Sequence, residues 1–360
     1  MYFTGDLTRM TPRLRTLITG IDYGSPRPAG APPEIAVSRT AHVSDLTDVL
    51  GRAVTVFAPR DVACDLADSP TVVVDVDGDL GEMDEVYLCS DHPDGPVSVR
   101  VQDYSSSPYV SILGSTVVRV TSDSEFAEYL DDADSAAESG TFAEFLTSPA
   151  VALADLTALG FPTGPAVDGP RVRLSVSPEG DIAVSPFTTP LGTVSDFTVA
   201  GLDTAWAEGG PDGLVGAAIP LAHVVDPDLR ARSVADRPWL GRYLCAVEAI
   251  RAIRSHGHDD VRVSGFGARL DSGVASDADR ARGDLPVLAF TSDHAFVWQE
   301  GRLRRVSRDA GVLLENVLTS TEPVTPDADG ATGRLLAAMT AVGIGFGTPT
   351  RAEASQTVGA

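Results

Sequence analysis

Two carboxylates are the first candidates for chemistry. Within Thr71–Leu80, TVVVDVDGDL, a run of valines ends in Asp75-x-Asp77-Gly78. A carboxylate at a strand end can attack phosphorus while a second, two residues on, exchanges the proton with the leaving group and magnesium offsets the phosphate charge. The same residues also make a hairpin, with Val72–Val76 going out, Asp77–Gly81 turning and Glu85–Leu88 returning, because aspartate and glycine are turn formers. As an EF-hand the run fails, since Leu80 stands at the required glycine and Val86 at the terminal glutamate. His256-Gly257-His258-Asp259-Asp260 carries metal-capable groups but brings no third ligand at a recognised spacing, so no metal is expected there.

Absences narrow the chemistry further. The 360 residues contain no lysine, so all 27 basic residues are arginine. That excludes a pyridoxal Schiff base, a P-loop and a lysine-activated serine, because arginine keeps its charge and cannot replace a catalytic amine. Cys64, Cys89 and Cys245 are far apart and form no C-x-x-C, which removes the ligands of a zinc ribbon or a cysteine-held iron–sulfur cluster and suits a reducing cytoplasm. There is no G-x-S-x-G and no H-E-x-x-H, and Gly343-x-Gly345-x-Gly347 follows a helix where a dinucleotide loop follows a strand. The start has no apolar run long enough for a signal peptide, and no stretch approaches the roughly 20 apolar residues of a membrane span. A formal charge of −24 repels nucleic acid and anionic membranes. The charge is uneven: Arg230–Arg308 holds 14 arginines against 10 acids, whereas no basic residue lies between Arg119 and Arg171. Arg302, Arg304 and Arg305 read either as an exposed arginine face or as a grip for acidic side chains.

The elements that would position these groups read as an α+β chain of mixed sheets. Residues 1–33 form an N-terminal arm ending in the proline-rich SPRPAGAPP, 34–161 an α/β region, 162–347 a second α+β domain and 348–360 a flexible tail. Strands are expected at Glu34–Ser38, Ala53–Ala58, Thr71–Val76, Val97–Val101 and Tyr109–Val120, with a helix at Val43–Leu50. Ser122 and Glu125 make a capping box ahead of a helix ending at Gly140. Thr141 and Glu144 repeat the box for a one-turn helix, and Ser148–Pro149 opens a third helix ending at Gly160, so a strand, three helices and the hairpin Val172–Ser185 are compatible with a winged-helix module and equally with ordinary α+β packing. In the second half Asp236 is expected to cap a long core helix carrying Leu240, Tyr243, Leu244, Val247 and Ile250. Asp271–Asp284 reads as an exposed loop, Val287–Thr291, Ala295–Gln299 and Arg302–Val306 as strands, and Ala310–Leu318 as a helix.

Three stretches carry a resemblance. They are VVRVTSDSEFAEYLDDADSAAESGTFAEFLTSPAVALADLTALG (117–160), RLSVSPEGDIAVSPFTTPLG (173–192), and RPWLGRYLCAVEAIRAIR with VSGFGARL (237–254 and 263–270). Together they resemble the recognition proteins of daptide-type clusters, which make ribosomal peptides whose C-terminus becomes an amine. The resemblance implies a cytoplasmic, non-catalytic protein without a cofactor. It would hold the leader of a precursor peptide and bring it to a dehydrogenase, an aminotransferase and a methyltransferase. A leader can bind by adding a strand to a sheet edge, and the platform expected for it is Tyr109–Gly160, with Tyr109, Val118 and Arg119 as contacts beside Arg302, Arg304 and Arg305. Residues 173–192 also look like the hairpin of cluster-binding domains in peptide-modifying radical enzymes, but Ser185 stands where a ligand cysteine is expected, so no cluster is implied. The Asp75-x-Asp77 run resembles the first motif of magnesium-dependent haloacid-dehalogenase-type phosphotransferases, with Asp79 in place of the usual threonine.

Overall fold

The computed structural model describes residues 12–21, 34–37, 55–58, 72–77, 85–89, 97–161, 173–177, 179–186, 190–196, 204, 221, 224–320 and 330–346. The chain divides into two compact units, Met1–Asp134 with Phe142–Arg237 and Ser135–Thr141 with Pro238–Ala360. Both units mix helices with β-sheet, and both sheets hold parallel and antiparallel neighbours.

The first unit is built on one ten-stranded sheet. Its strands are β1 (Glu34–Val37), β2 (Thr55–Ala58), β3 (Val72–Asp77), β4 (Glu85–Cys89), β5 (Val97–Asp103), β6 (Ser115–Arg119), β7 (Val151–Leu153), β8 (Arg173–Val176), β9 (Asp181–Ala183) and β10 (Gly192–Thr193). Their order is β10-β9-β8-β1-β2-β3-β4-β5-β6-β7. The return of β8 to lie parallel against β1, with Glu34 opposite Arg173, joins residues on both sides of the domain boundary expected near residue 161. That boundary therefore falls inside the first unit.

Helix α1 (Pro12–Thr19) closes onto this sheet through an arginine. The buried Arg173 donates from Nη1 to the carbonyl of Ile18 at 2.7 Å and to that of Leu17, two carbonyls at the C-terminal end of α1 that have no partner within the helix. From Nη2 it pairs with the Asp155 carboxylate, whose other oxygen accepts from Ser185 Oγ at 3.1 Å. Burial raises the pKa of Asp155, and the guanidinium only partly offsets this.

Between Ser122 and Gly160 the structure has one helix where three were expected. Helix α2 (Asp123–Ser139) starts as foreseen, with Ser122 Oγ accepting from the Glu125 amide at 3.3 Å, and buries Phe126, Tyr129, Leu130 and Ala133. Thr141–Thr147 makes only hydrogen-bonded turns, and the span from Ser148 to Gly160 contains β7 and further turns. Helix α3 (Pro227–Ala235) follows, capped by Asp226 Oδ1 accepting from the Leu229 amide at 2.7 Å. Asp236 closes α3 and does not open the next helix.

The second unit holds a five-stranded sheet in the order β12-β11-β13-β14-β15. The strands are β11 (Arg262–Ser264), β12 (Gly267–Ala268), β13 (Val287–Phe290), β14 (Ala295–Gln299) and β15 (Arg302–Val306). Helix α4 (Leu240–Arg254), α5 (Arg308–Leu318) and α6 (Ala331–Ala341) complete it. Leu288 and Val297 pack with Leu314 and Leu318 of α5 and Leu336 and Met339 of α6. Every residue of β13 is buried, as expected for a strand covered on both faces. The segment 271–284, expected as an exposed loop, is pinned at its middle. Asp279 is buried and accepts from Arg269 Nη1 at 3.0 Å and Nη2 at 2.9 Å, with Nη2 of the buried Arg242 at 3.8 Å.

Candidate functional site

The chain leaves β5 at Asp103 and returns at β6 through a short 3-10 helix, Ser107–Tyr109, with Pro108 in its first turn. Hydroxyls of Ser106 and Ser107 both donate to the Asp103 carbonyl at 2.9 Å and hold the start of this excursion. Its tip is apolar and bare: Tyr109 is 89% exposed, Val110 45% and Leu113 69%. The Thr116 hydroxyl donates to the Gly114 carbonyl at 3.0 Å and fixes the far side.

One buried side chain fastens both ends of the loop. Glu125 Oε1 accepts from the amide and hydroxyl of Ser105 at 3.2 and 2.7 Å, and Oε2 accepts from the amide and hydroxyl of Thr121 at 2.6 and 2.7 Å. Burial works to raise the pKa of Glu125, but these four donors outweigh it and the pKa is lowered. Beneath the loop Tyr104 packs edge-on against Tyr129 and Phe145, with centroids 6.0 and 5.3 Å apart, and its hydroxyl donates to Asp132 at 2.7 Å. The apolar tip thus stands on a fixed base. The sequence marked Glu125 only as half of a capping box; its carboxylate reaches Thr121 and Ser105 and bypasses the Ser122 amide.

Of the candidates in this unit, Tyr109 lies on the surface while Val118 and Arg119 do not offer one. Val118 is fully buried in β6, and β6 is flanked by β5 on one side and β7 on the other. Both edges are used, so a peptide cannot add to β6 itself; within the expected platform Tyr109–Gly160 it is β7 that ends the sheet. Arg119 is largely buried and spends its Nε on Asp103 at 2.8 Å.

Among the described residues the first sheet ends at β7 and β10 and the second at β12 and β15. β15 pairs only with β14 among the described residues, and Arg302, Arg304 and Arg305 are all exposed along it. The two strands meet at Glu300–Gly301, whose φ values of 49° and 74° make the type I′ turn of a two-residue hairpin. In such a hairpin Gln299 and Arg302 exchange both backbone hydrogen bonds, and so do Val297 with Arg304 and Ala295 with Val306. The amides and carbonyls of Leu303 and Arg305 are left pointing away from the sheet. Arg302 reaches the Gly343 carbonyl at 3.0 Å and Arg304 the carbonyl of its own neighbour Leu303 at 3.2 Å. None of the three meets a carboxylate among the described residues, in contrast to Arg237, Arg251, Arg269 and Arg282.

The remaining candidates fall apart. Asp75 and Asp77 lie in β3, their backbones paired antiparallel with Cys89 and Tyr87 of β4, which is the outgoing and returning path of a hairpin; residues 78–84 and the aspartate side chains lie outside the described residues. His256 donates from Nδ1 to the Ala252 carbonyl at 2.8 Å, while the His258 ring packs at a tilt against His294 and Phe296 with centroids 5.4 and 5.1 Å apart. Among the described residues no three histidine, cysteine, aspartate or glutamate side chains gather as metal ligands. Ser185, at the position of the expected cluster cysteine, is buried against Asp155. No helix among the described residues is long and apolar enough to cross a membrane. Comparison of the chain with protein-family models, with curated proteins and with solved structures finds no match.

Proposed function

We propose that this protein is a non-catalytic recognition protein of ribosomal peptide biosynthesis. It holds the leader of a precursor peptide and presents it to the dehydrogenase, aminotransferase and methyltransferase that modify it, without a cofactor of its own. The observation that carries the reading is the loop Tyr109–Leu113. Apolar side chains held bare on a rigid base are what a protein-binding surface requires, because covering them with a partner removes that area from water. No charged residue stands between Tyr109 and Arg119.

Titration calorimetry with the cognate precursor tests this. The full precursor and its leader should bind with micromolar affinity or better, about 8 kcal/mol, and the core peptide should not. Tyr109→Ser with Leu113→Ser should keep the fold, because both side chains face solvent, and weaken leader binding at least about tenfold. Leader binding unchanged in that variant would move the site elsewhere. A wild-type protein that binds neither precursor nor leader would end the reading.

A further inference from the structure

We infer that the β15 edge is a second binding site, one that takes an extended acidic segment of another polypeptide as an added strand. It is independent of the proposed function, because it rests on a different unit and on different observations. The first is the backbone: Leu303 and Arg305 direct their amides and carbonyls outward, so a sixth strand finds four hydrogen-bonding groups at the spacing of a β-ladder, of which the Leu303 carbonyl also accepts from Arg304 Nη1. The second is charge. Arg302 and Arg304 stand on one face of β15 and Arg305 on the other, all exposed and without a carboxylate among the described residues. An incoming strand with acidic side chains two residues apart meets Arg302 and Arg304 together, and one on its opposite face meets Arg305.

The charge also selects the occupant. Pairing β15 with its counterpart in a second copy of the chain would set arginine opposite arginine, and like charges directly across a ladder repel. A neutral strand would leave three guanidinium groups at the seam unused. An acidic strand is the complement that turns them into contacts. Exposed charge on an edge also discourages aggregation, and the experiment separates that role from binding.

The probes are a blocked hexapeptide alternating glutamate and valine, its lysine–valine counterpart, and the glutamate peptide N-methylated at alternate amides, each titrated into the full chain by fluorescence anisotropy at low salt. The glutamate peptide should bind and the other two should not. Its affinity should fall at least about tenfold between roughly 50 and 200 mM salt, and Arg302→Gln/Arg304→Gln/Arg305→Gln should remove most of that dependence. Arg305→Pro, which deletes an outward amide and no ladder bond, should abolish binding; if that variant fails to fold, the N-methylated peptide on the unaltered chain makes the same test. In hydrogen exchange the Leu303 and Arg305 amides should be fast in the unbound protein and slowed by the peptide, while the Arg304 and Val306 amides are slow throughout. Equal binding of the lysine or N-methylated peptide, or no binding of the glutamate peptide, overturns the inference. Slow Leu303 and Arg305 amides in the unbound chain would overturn it too, since the edge would already be covered. A protein that binds this peptide but no leader loses the proposed function alone, and the reverse result removes this inference alone.

Discussion

Replacing Arg173 by methionine should show how far one guanidinium holds the first unit together. The side chain is buried, and its partners are the Asp155 carboxylate and the last carbonyls of α1. Methionine keeps the volume and removes every one of those bonds. Breaking a buried ion pair from one side costs about 3–5 kcal/mol, because the remaining charge is left without compensation. The cost should depend on pH with a definite sign. The folded-state pKa of Asp155 is already raised, so its contribution to stability is complete below the unfolded value of about 3.9 and is lost as pH rises through the folded value. Without Arg173 the cation that lowers it goes and the folded pKa climbs further, which extends that loss to higher pH. The difference between variant and wild type should therefore widen from about pH 4, near the unfolded value, to pH 8.0, by at most about 1.4 kcal/mol per unit. Urea unfolding followed by circular dichroism at both pH values measures it. Asp155→Asn in the same background should flatten the dependence, as asparagine tolerates the residue's φ of 51°. A loss below about 1 kcal/mol at pH 8.0, or one equal at both pH values, would refute the reasoning.

Three further outcomes follow from local geometry. Gly311→Ala places a Cβ 2.7 Å from Leu270 Cδ2 and 2.8 Å from Ala295 Cβ; the gain of about 1 kcal/mol in helix propensity should be outweighed by overpacking, and a stabilised variant in thermal unfolding would contradict this. Glu125→Gln keeps one acceptor oxygen for four donors and should cost about 2 kcal/mol at pH 7. Because the pKa of Glu125 is lowered, that cost should shrink as pH falls below about 4.3 towards the folded value, and a urea midpoint unchanged at pH 7 would count against the double anchor. Burial pushes the Cys245 thiol up to about 12, so in the native protein at pH 8 iodoacetamide should leave it unmodified by peptide mass mapping while urea exposes it; native labelling at the unfolded rate would show the site is open.

The second unit was the more legible. β13, β14 and β15 announce themselves by short β-branched and aromatic runs separated by turn residues, and α4 by an apolar face that repeats every three to four residues. Local pattern failed where the decision was made at a distance. Apolar Val151–Ala154 suits a buried helix or a buried strand equally, and only the pairing of Val151–Leu153 with Thr116–Val118 makes it β7. Tyr109, Val110, Ile112 and Leu113 look like a strand by residue type, yet they form an exposed loop because Pro108 and the Glu125 anchor turn the chain out. The arginine triad is exposed, but a strand's own sequence does not say whether both of its neighbours exist. That is why the edge was sought on β6, which is enclosed, and not on β15. Nothing near Arg173 announces its burial, since its carbonyl partners are about 155 residues away in sequence.

The placement of β8 beside β1 has a consequence for the chain as it emerges from the ribosome. β1 is complete after residue 37, but the strand that covers its other edge begins at Arg173, roughly 140 residues later. At ordinary translation speeds that interval is on the order of ten seconds, long compared with the microsecond-to-millisecond events of local folding. Through it the nascent sheet must wait with β1 covered on one side only. The late arrival is also the residue that neutralises Asp155 and binds the end of α1, so closure of the sheet, docking of the N-terminal helix and burial of the carboxylate all depend on one moment of synthesis.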